Sequence, residues 1–332
     1  MLFLPIFLKH NFYRQFSTNS NHNNINKFLE IFIGLFTSID GDGYFDIGPQ
    51  KQYSRNSNNH PKSTIRIRLG INLQAKDREL LEYLGTKIGV GKIDYSKSKD
   101  QHRLIFDQKD ILYVIYPYIK SNKIEFLVYN RQKQFFLYKY IMENNIKHWE
   151  NLNLLEIEKL FHKSMRSTKK KLEFTDIINL PSFNNWFVGF TIAEGSFHIK
   201  AKGTAHFSIV QSGIVGIAGI AGIAGIAGIA GIAGIAGIEN SKIIKAIHYF
   251  IKGPDSLNHQ IKPENSKVYR ISFSSKKDLN FIIIFFDNNL LGLKKLQFDN
   301  WKSYIISKMN DSAPNVILPK VSNNNINDSR IK

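Results

Sequence analysis

An apolar segment of helical length opens the hydrophobic pattern and runs from residue 26 to about residue 42. It is apolar on nearly every side, which is typical of a buried helix. It ends in the sequence DGDG at residues 40–43, which predicts a stop followed by a change of direction. In the strand predicted next, Phe45 and Ile47 face inward and Tyr44 and Asp46 face outward.

Residues 64–74 alternate almost without interruption and predict a half-buried strand. The inward residues are Ile65, Ile67, Leu69, Ile71 and Leu73, and the outward ones include Arg66, Arg68, Asn72 and Gln74. Further patterns predict a helix over 77–88, strands over 91–95 and 103–106, and one or two helices over 109–144.

The same order of elements returns after a charged and polar segment at 145–180. An apolar helix over Trp186–Glu194 precedes a strand in which Phe197 and Ile199 face inward and His198 and Lys200 outward. Strands over 205–211 and 268–273 and helices over 242–251 and 279–308 follow. A pattern that repeats once at this length indicates two halves of one architecture.

A tract of nine Gly-Ile pairs, most of them followed by Ala, interrupts the second half at residues 213–238. The tract is long enough to span a membrane, but glycine at every third position weakens a helix by about 1 kcal/mol each relative to alanine. Tryptophan and cationic anchors are missing from its flanks. Gln211-Ser212 joins directly onto Ile238-Glu239-Asn240 when the triplets are removed, so we interpret the tract as a repeat expansion. A structured solenoid or a membrane span is the alternative.

Composition points to a polyanionic partner. The 332 residues include 45 Lys and Arg against 27 Asp and Glu, a formal net charge of +18. Such an excess favours nucleic acid first and an anionic membrane surface second. The chain has no cysteine, which excludes a disulfide scaffold, an iron–sulfur cluster and a thiol nucleophile. The chain is rich in Asn, Ile, Lys, Phe and Tyr, whose codons are AT-rich, and this is typical of an organellar genome. The codon bias accounts for part of the basic charge.

Residues 1–26 contain Lys9 and Arg14 and no acidic residue, with a Ser- and Asn-rich run at the end. This composition suits a mitochondrial transit peptide. An untargeted leader, or a remnant of an upstream reading frame on a protein made inside the organelle, is the alternative.

The two apolar helices each end in a carboxylate followed by glycine, at 40–43 and at 193–195. A carboxylate at a helix C-terminus is disfavoured by the helix dipole and needs a compensating cation, for which a hard divalent metal is suited. One such end is commonly a capping turn. Two in matching positions of a basic chain favour a functional site.

Residues 35–43 (LFTSIDGDG) and 187–195 (FVGFTIAEG) resemble two copies of the LAGLIDADG motif of homing endonucleases and intron maturases. Further likeness lies in Leu69–Val90, in Phe126–Arg131 and in Leu290–Lys295, so that it covers about residues 28–145 and 183–308. The first copy departs from the motif, because Phe36 and Thr37 occupy positions where close helix packing needs small residues. We expect Gly34 and Ser38 to take over that contact.

The resemblance implies an α/β fold of two pseudo-symmetric αββαββα repeats. Each repeat carries an antiparallel four-stranded saddle for a DNA major groove, and the motif helices pack on a pseudo-two-fold axis. It implies divalent metal, Mg²⁺ in the first place, at Asp42 and Glu194, with Asp40 a weaker candidate because Ile192 takes its place in the second copy. It also implies water-organising roles for Gln74 and Gln211 and a basic role for Lys294, with Arg131 at the position of the lysine in the first repeat.

The residues themselves support a nucleic-acid surface on the outward sheet faces. Arg66, Arg68, Asn72 and Gln74 are types that contact base edges or phosphates, and the strand has no acidic residue among them. By the same alternation the second half contributes His198, Lys200 and Arg270. Gln211 falls out of phase with His206 and Ser208, which predicts a bulge or a different strand assignment.

We therefore predict a leader at 1–26, a first repeat at 27–145, a linker at 146–182, a second repeat at 183–310 and a polar tail at 311–332. The function expected is that of a monomeric, mitochondrial, metal-dependent endonuclease that cuts both strands of a long DNA site and promotes intron mobility. A maturase that binds intron RNA, or a degenerate endonuclease that only binds nucleic acid, is the alternative. We expect no membrane partner.

Overall fold

Two antiparallel four-stranded sheets, each backed by helices on one face, make up the fold. The computed structural model describes residues 27–34, 43–50, 63–122, 124, 126–167, 173–212, 230–253, 263–264 and 268–311. The predicted leader, the first motif from residue 35 to residue 42 and most of the polar tail lie outside the described residues.

The first half follows the predicted order helix, strand, strand, helix, strand, strand, helix. Its elements are α1 (27–34), β1 (Gly43–Gln50), β2 (Thr64–Gln74), α2 (Arg78–Ile88), β3 (Lys92–Ser96), β4 (Gln101–Phe106), α3 (the continuous helical turns Gln108–Asp110, Ile111–Ile115 and Tyr116–Ser121) and α4 (Tyr129–Glu143).

The second half follows the same order after two connecting helices. Its elements are α5 (Leu154–Ser167) and α6 (Phe174–Ile178), then α7 (Phe183–Glu194), β5 (Gly195–Ile199), β6 (Ala205–Ser212), α8 (Ala230–Lys252), β7 (Pro263–Glu264), β8 (Val268–Phe273), α9 (Lys276–Phe286) and α10 (Gly292–Asp311).

The two sheets have the same strand order, β1-β2-β4-β3 in the first and β5-β6-β8-β7 in the second. The register also matches, because Gly43 pairs with Ile71 in one sheet and Gly195 with Ile209 in the other. The inward residues predicted for β2 are all buried, and one continuous apolar core runs through both halves. The predicted mixed α/β fold with antiparallel sheets is confirmed.

Three details of the second half differ from the sequence predictions. Ile199 was expected to face inward but is 43% exposed, because it ends β5 beside the hairpin turn. Neither alternative offered for the phase of Gln211 is found: β6 covers the predicted residues, and Phe207–Ser212 pairs without a bulge with Val268–Phe273, so that Gln211 lies on the inner face. The two-residue strand β7 was not predicted, since it is too short to show alternation.

Helix α8 contains the counterpart of α2 together with an added N-terminal stretch. The buried residues of α2 (Leu80, Leu81, Leu84 and Ile88) and those of α8 (Ile243, Ile244, Ile247 and Ile251) have the same spacing along the chain. Helix α8 begins at Ala230, about ten residues before the position that corresponds to the start of α2. The last Gly-Ile-Ala triplets are therefore part of the helix. The remainder of the tract, from Gly213 to Ile229, lies outside the described residues.

The two long apolar helices α1 and α7 approach each other at a glycine. A Cβ atom built on Gly34 would lie 2.0 Å from the carbonyl oxygen of Trp186 and 2.9 Å from the backbone nitrogen of Phe190. Beside this contact, Glu30 accepts hydrogen bonds from Asn185 Nδ2 at 2.7 Å and from the Tyr118 hydroxyl at 3.0 Å. The predicted close contact at Gly34 is thus present, whereas Ser38 lies outside the described residues.

Each half also caps the last helix of the other half. Asp77 Oδ1, just before α2, accepts a hydrogen bond from the backbone N–H of Leu293 at 3.0 Å. Asn240 Oδ1, on α8, accepts one from the backbone N–H of Tyr129 at 3.4 Å. Both acceptors satisfy first-turn N–H groups that have no partner within their helix.

The connection between the halves is tied to the first sheet. Trp149 donates its backbone N–H to the carbonyl of Ser63 at 2.9 Å, and the N–H of Ser63 donates to Glu150 Oε1 at 2.9 Å. A buried ion pair between Lys133 and Glu158 then joins α4 to α5. The segment predicted as a linker is therefore helical over much of its length.

Replacing Gly34 by alanine should destabilise the protein by about 3 kcal/mol, because the added methyl group meets backbone atoms that cannot rotate away. Urea denaturation measures the change. Gly85→Ala is the matched control, since the nearest atom to its new Cβ is a flexible Leu104 methyl at 3.3 Å and alanine favours the helix by about 1 kcal/mol. Equal stability of G34A and wild type would show that the two helices do not meet at this residue.

Candidate nucleic-acid interface and helix-end centres

Of the acidic residues predicted at the helix ends, the structure describes Glu194. It is the last residue of α7, and β5 begins with the next residue, Gly195. A Cβ on Gly195 would lie 2.6 Å from the Thr191 carbonyl oxygen, so only glycine permits this immediate change from helix to strand. Asp40 and Asp42 lie outside the described residues. Gly43, however, begins β1 at the same point of its sheet as Gly195 begins β5.

Arg131 and Lys294 each lie in the first turn of the last helix of their half, and each donates to the carbonyl of the first residue of a strand. Arg131, the third residue of α4, donates from Nη2 to the carbonyl of Gly43 and from Nη1 to Gln134 Oε1 at 2.8 Å. Lys294, the third residue of α10, donates from Nζ to the carbonyl of Gly195 at 2.6 Å. Each cation thus lies beside the first residue of a strand, Gly43 of β1 or Gly195 of β5.

These two cations differ in burial. Arg131 is 7% exposed, and burial lowers its pKa to about 10. Lys294 is half-buried at the start of α10. Lys294 is therefore the more accessible of the two to solvent.

Gln74 and Gln211, predicted as a matching pair, are not at equivalent positions. Gln211 shares the inner face of β6 with Phe207 and Ile209 and is 1% exposed. Gln74 lies on the outer face of β2 and is exposed, paired with Gln101 of β4. Ile71 pairs with Gly43 in the first sheet as Ile209 pairs with Gly195 in the second. Gln211 lies two residues after Ile209, so its counterpart is Leu73, two residues after Ile71.

The two predicted arginines on the outer face of the first sheet differ in whether they form an ion pair. Arg66 makes a bidentate ion pair with Asp46, with distances of 2.7 and 2.8 Å. Arg68 is exposed and has no ion pair among the described residues. Asn72 pairs across the sheet with Arg103, a basic residue that our sequence analysis did not single out although its alternation with Leu104 could have revealed it.

An aromatic ring lies among these arginines. A Cβ on Gly70 would lie 2.6 Å from the Tyr44 ring, so that ring covers the glycine on the outer face. Burial raises the pKa of the Tyr44 hydroxyl, while nearby Arg103 opposes the shift. This face therefore combines cations, amides and an aromatic surface, which are the groups that contact base edges and phosphates.

The outer face of the second sheet is less charged and includes a pair of histidines. The rings of His198 and His206 lie parallel with centroids 5.5 Å apart, and His206 Nδ1 is 3.3 Å from Ser272 Oγ. Burial, followed by the charges of Lys200 and His198, lowers the pKa of His206. Arg270 is exposed on the same face, and Lys200 lies in the turn after β5.

Within the described part of the chain, no group of three or more His, Asp or Glu side chains is placed to hold a metal ion. Over the same residues, no helix has the length and apolar character needed to cross a membrane.

Comparison with known proteins shows which proteins this chain resembles. The model of the LAGLIDADG endonuclease family matches residues 34–142, which include the first sheet and helices α2 and α3 and nearly all of α4. The chain is also 26% identical over 328 aligned residues to the probable intron-encoded endonuclease Cox1-I1b of Schizosaccharomyces pombe, covering 90% of this chain and 70% of that protein.

Solved structures extend the likeness to both halves. The I-LtrWI LAGLIDADG homing endonuclease bound to target DNA superposes with a TM-score of 0.56 and 16% identity, covering 87% of this chain and 93% of that one. I-SmaMI bound to an uncleaved DNA target with calcium ions gives 0.57 and 15%, covering 85% and 92%. At these identities the likeness is one of fold. The predicted resemblance to LAGLIDADG homing endonucleases is confirmed.

The depressed pKa of His206 makes stability fall as the pH falls below the ordinary histidine value of about 6.5, because the unfolded chain then binds a proton that the folded one does not. His206→Gln should remove this contribution, which amounts to at most about 1.4 kcal/mol per pH unit. Urea unfolding between pH 7.5 and 5 measures the slope. An unchanged slope in the variant would show that His206 does not titrate in this way.

Proposed function

We propose that this protein is a site-specific homing endonuclease that binds a long DNA duplex with its two sheets and cuts both strands. The observation that carries the proposal is a matched pair of contacts at the starts of β1 and β5. In each, a basic residue of the last helix holds the carbonyl of the glycine that follows a motif acid. The arrangement repeats on both halves, as a duplex with two antiparallel strands requires.

The residues fit a divalent metal, with Mg²⁺ the expected ion. Glu194 offers a hard oxygen ligand at the negative end of α7, and the neighbouring β6 carries the buried Gln211 amide, which has no hydrogen-bond partner among the described residues. Asp42 is the corresponding acid of the first half by sequence. Bound there, the metal would favour attack of water on phosphorus and stabilise the departing oxygen.

The remaining roles belong to the protein's own side chains. Hydrolysis adds one water across a P–O ester bond: its oxygen bonds to phosphorus, the ester bond breaks, and the leaving oxygen takes up a proton. Lys294 is placed to oppose the charge that develops on the phosphate. Arg131, which is buried and hydrogen-bonded to Gly43 and Gln134, positions the start of β1. Gln74, on the outer face, is placed to contact DNA.

The outer sheet faces supply binding and specificity. Arg68, Asn72 and Arg103 lie together on the first sheet, and His198, Lys200 and Arg270 on the second. Arg66 is oriented by Asp46, which holds its guanidinium in one place before any ligand binds. Because both sheets belong to one chain, a monomer suffices. The intron-encoded relative and the codon bias support a mitochondrial location and a role in intron mobility.

Glu194→Gln should abolish double-strand cleavage and leave DNA affinity within about twofold, because an amide keeps the size of the carboxylate but binds hard cations poorly. The assay is linearisation of a plasmid carrying the uninterrupted host gene, with Mg²⁺ or with EDTA. Glu79→Gln, the same change at an exposed position of α2, is the matched control.

Full double-strand cutting by E194Q would overturn the metal assignment. If folded wild-type protein does not cut but binds the intron RNA, the maturase alternative replaces the endonuclease.

Arg68→Ala should weaken DNA binding and, if Arg68 neutralises a phosphate, reduce the slope of log K against log salt by about 0.9. If Arg68 reads a base instead, the slope stays constant and discrimination at one base pair falls by about 1–3 kcal/mol. Arg78→Ala is the control, since Arg78 pairs with Glu82 on α2 away from the sheet face. Unchanged affinity and specificity of R68A at low salt would remove this face from the binding surface.

A further inference from the structure

The last helix of each half begins without an N-terminal cap from its own sequence. Helix α4 follows Val128 and helix α10 follows Leu291, and neither side chain has an oxygen that could accept a hydrogen bond from first-turn N–H groups. Helix α9 differs, since Ser275 directly before it accepts a hydrogen bond from the backbone N–H of Asp278 at 3.2 Å. The two last helices therefore depend on acceptors from elsewhere in the fold.

Those acceptors come from the opposite half in both cases. Asp77 Oδ1 of the first half accepts a hydrogen bond from the N–H of Leu293 at 3.0 Å. Asn240 Oδ1 of the second half accepts one from the N–H of Tyr129 at 3.4 Å. Each acceptor lies three residues before the first of the buried residues whose spacing α2 and α8 share. The acceptors are therefore counterparts, and the exchange of caps is reciprocal.

The contact made by Asp77 allows little freedom. Gly292, the first residue of α10, has a φ of +59°, a conformation that favours glycine. A Cβ atom on Gly292 would lie 2.9 Å from Asp77 Oδ1 and 2.9 Å from a methyl carbon of Leu80. The negative charge of Asp77 also suits the positive end of the helix dipole. The start of α10 is thus held against the start of α2 within narrow limits.

The capped end of α10 carries Lys294. This residue directly follows Leu293, and its Nζ donates to the carbonyl of Gly195 at 2.6 Å, one residue after Glu194. A shift of the first turn of α10 would therefore move the ammonium group relative to the centre proposed at Glu194. Displacement of such a group by about 1 Å can lower a rate by about a hundredfold.

We infer that Asp77, a residue of the first half, is a positioning residue for Lys294 in the second half. Asp77 acts through the first turn of α10, which it holds in the place where Lys294 faces the start of β5. The centre at Glu194 is thereby completed by the half that does not contain it. This inference rests on the proposed endonuclease function and adds to it a requirement that the two halves be docked.

The test follows each DNA strand separately. A duplex of the uninterrupted host-gene site carries a different fluorescent label on each strand, and both cleavage rates are measured in Mg²⁺ under single-turnover conditions. Lys294→Ala identifies the strand that depends on Lys294, because that strand should slow more than the other. Asp77→Ala should slow the same strand by about tenfold while DNA affinity stays within about twofold of wild type.

Two further variants make the assignment specific to the cap. Asp77→Asn should keep the rate within about threefold of wild type, because asparagine caps a helix about as well as aspartate. Gly292→Ala disturbs the same contact from the other side and should slow the same strand as Asp77→Ala. Loss of rate in Asp77→Asn equal to that in Asp77→Ala would show that the charge of Asp77 matters and its cap does not, which would overturn the inference.

A double-mutant cycle shows whether Asp77 acts through Lys294. In a Lys294→Ala background, Asp77→Ala should slow the affected strand by no more than about twofold further, because the group that it positions is already gone. Independent effects that multiply in the double variant would refute the positioning role.

Ser275→Ala is the matched control, since it removes a cap of the same kind from α9 in the same half. Both Ser275→Ala and Asp77→Ala should lower the thermal unfolding midpoint by several degrees. Only Asp77→Ala should change the ratio of the two strand rates. An equal change of that ratio in Ser275→Ala would assign the effect to general destabilisation and overturn the inference.

The failure of the inference and that of the proposed function are distinguishable. Full rates in Asp77→Ala, or equal slowing of both strands, would refute the positioning role of Asp77 while leaving the endonuclease intact. Absence of cutting on either strand by folded wild-type protein would refute the endonuclease function, and the inference with it.

Discussion

The fold depends on the close approach of helices α1 and α7. The glycine at position 34 brings the backbone of α1 against the carbonyl of Trp186, a distance that no side chain would permit. Small residues allow this kind of backbone contact because dispersion attraction then acts between main chains. Since α7 ends in Glu194, this contact also helps to fix the position of the centre proposed at that end of α7.

Further contacts tie each half to the other and hold those ends in place. Asp77 caps the last helix of the second half and Asn240 that of the first, so that each half positions the element that carries the other half's cation. Lys294 and Arg131 in turn hold the first residues of β5 and β1. Because these bonds join residues at the ends of helices and strands, a change of length in a loop elsewhere leaves them in place.

The Gly-Ile-Ala tract illustrates that tolerance. It enters between β6 and the counterpart of α2, yet the buried residues of α8 keep the spacing of those in α2. The end of the tract continues α8 towards its N-terminus instead of displacing Asn240. The described end of the tract therefore lengthens α8 at its N-terminus, while the buried residues that follow keep the spacing found in α2.

Hydrophobic alternation predicted the longer strands and the inward face of β2, because burial of one face imposes a period of two. The pairing of Arg131 with Lys294 came from the resemblance to the motif family and not from the alternation. Only the tertiary structure showed that Leu73, and not Gln74, corresponds to Gln211. Which residues are equivalent depends on the pairing register between strands, and a shift of one residue moves a side chain to the opposite face of the sheet. The same holds for Gly34, whose partner Trp186 is distant in sequence and is brought close only by the packing of the two helices.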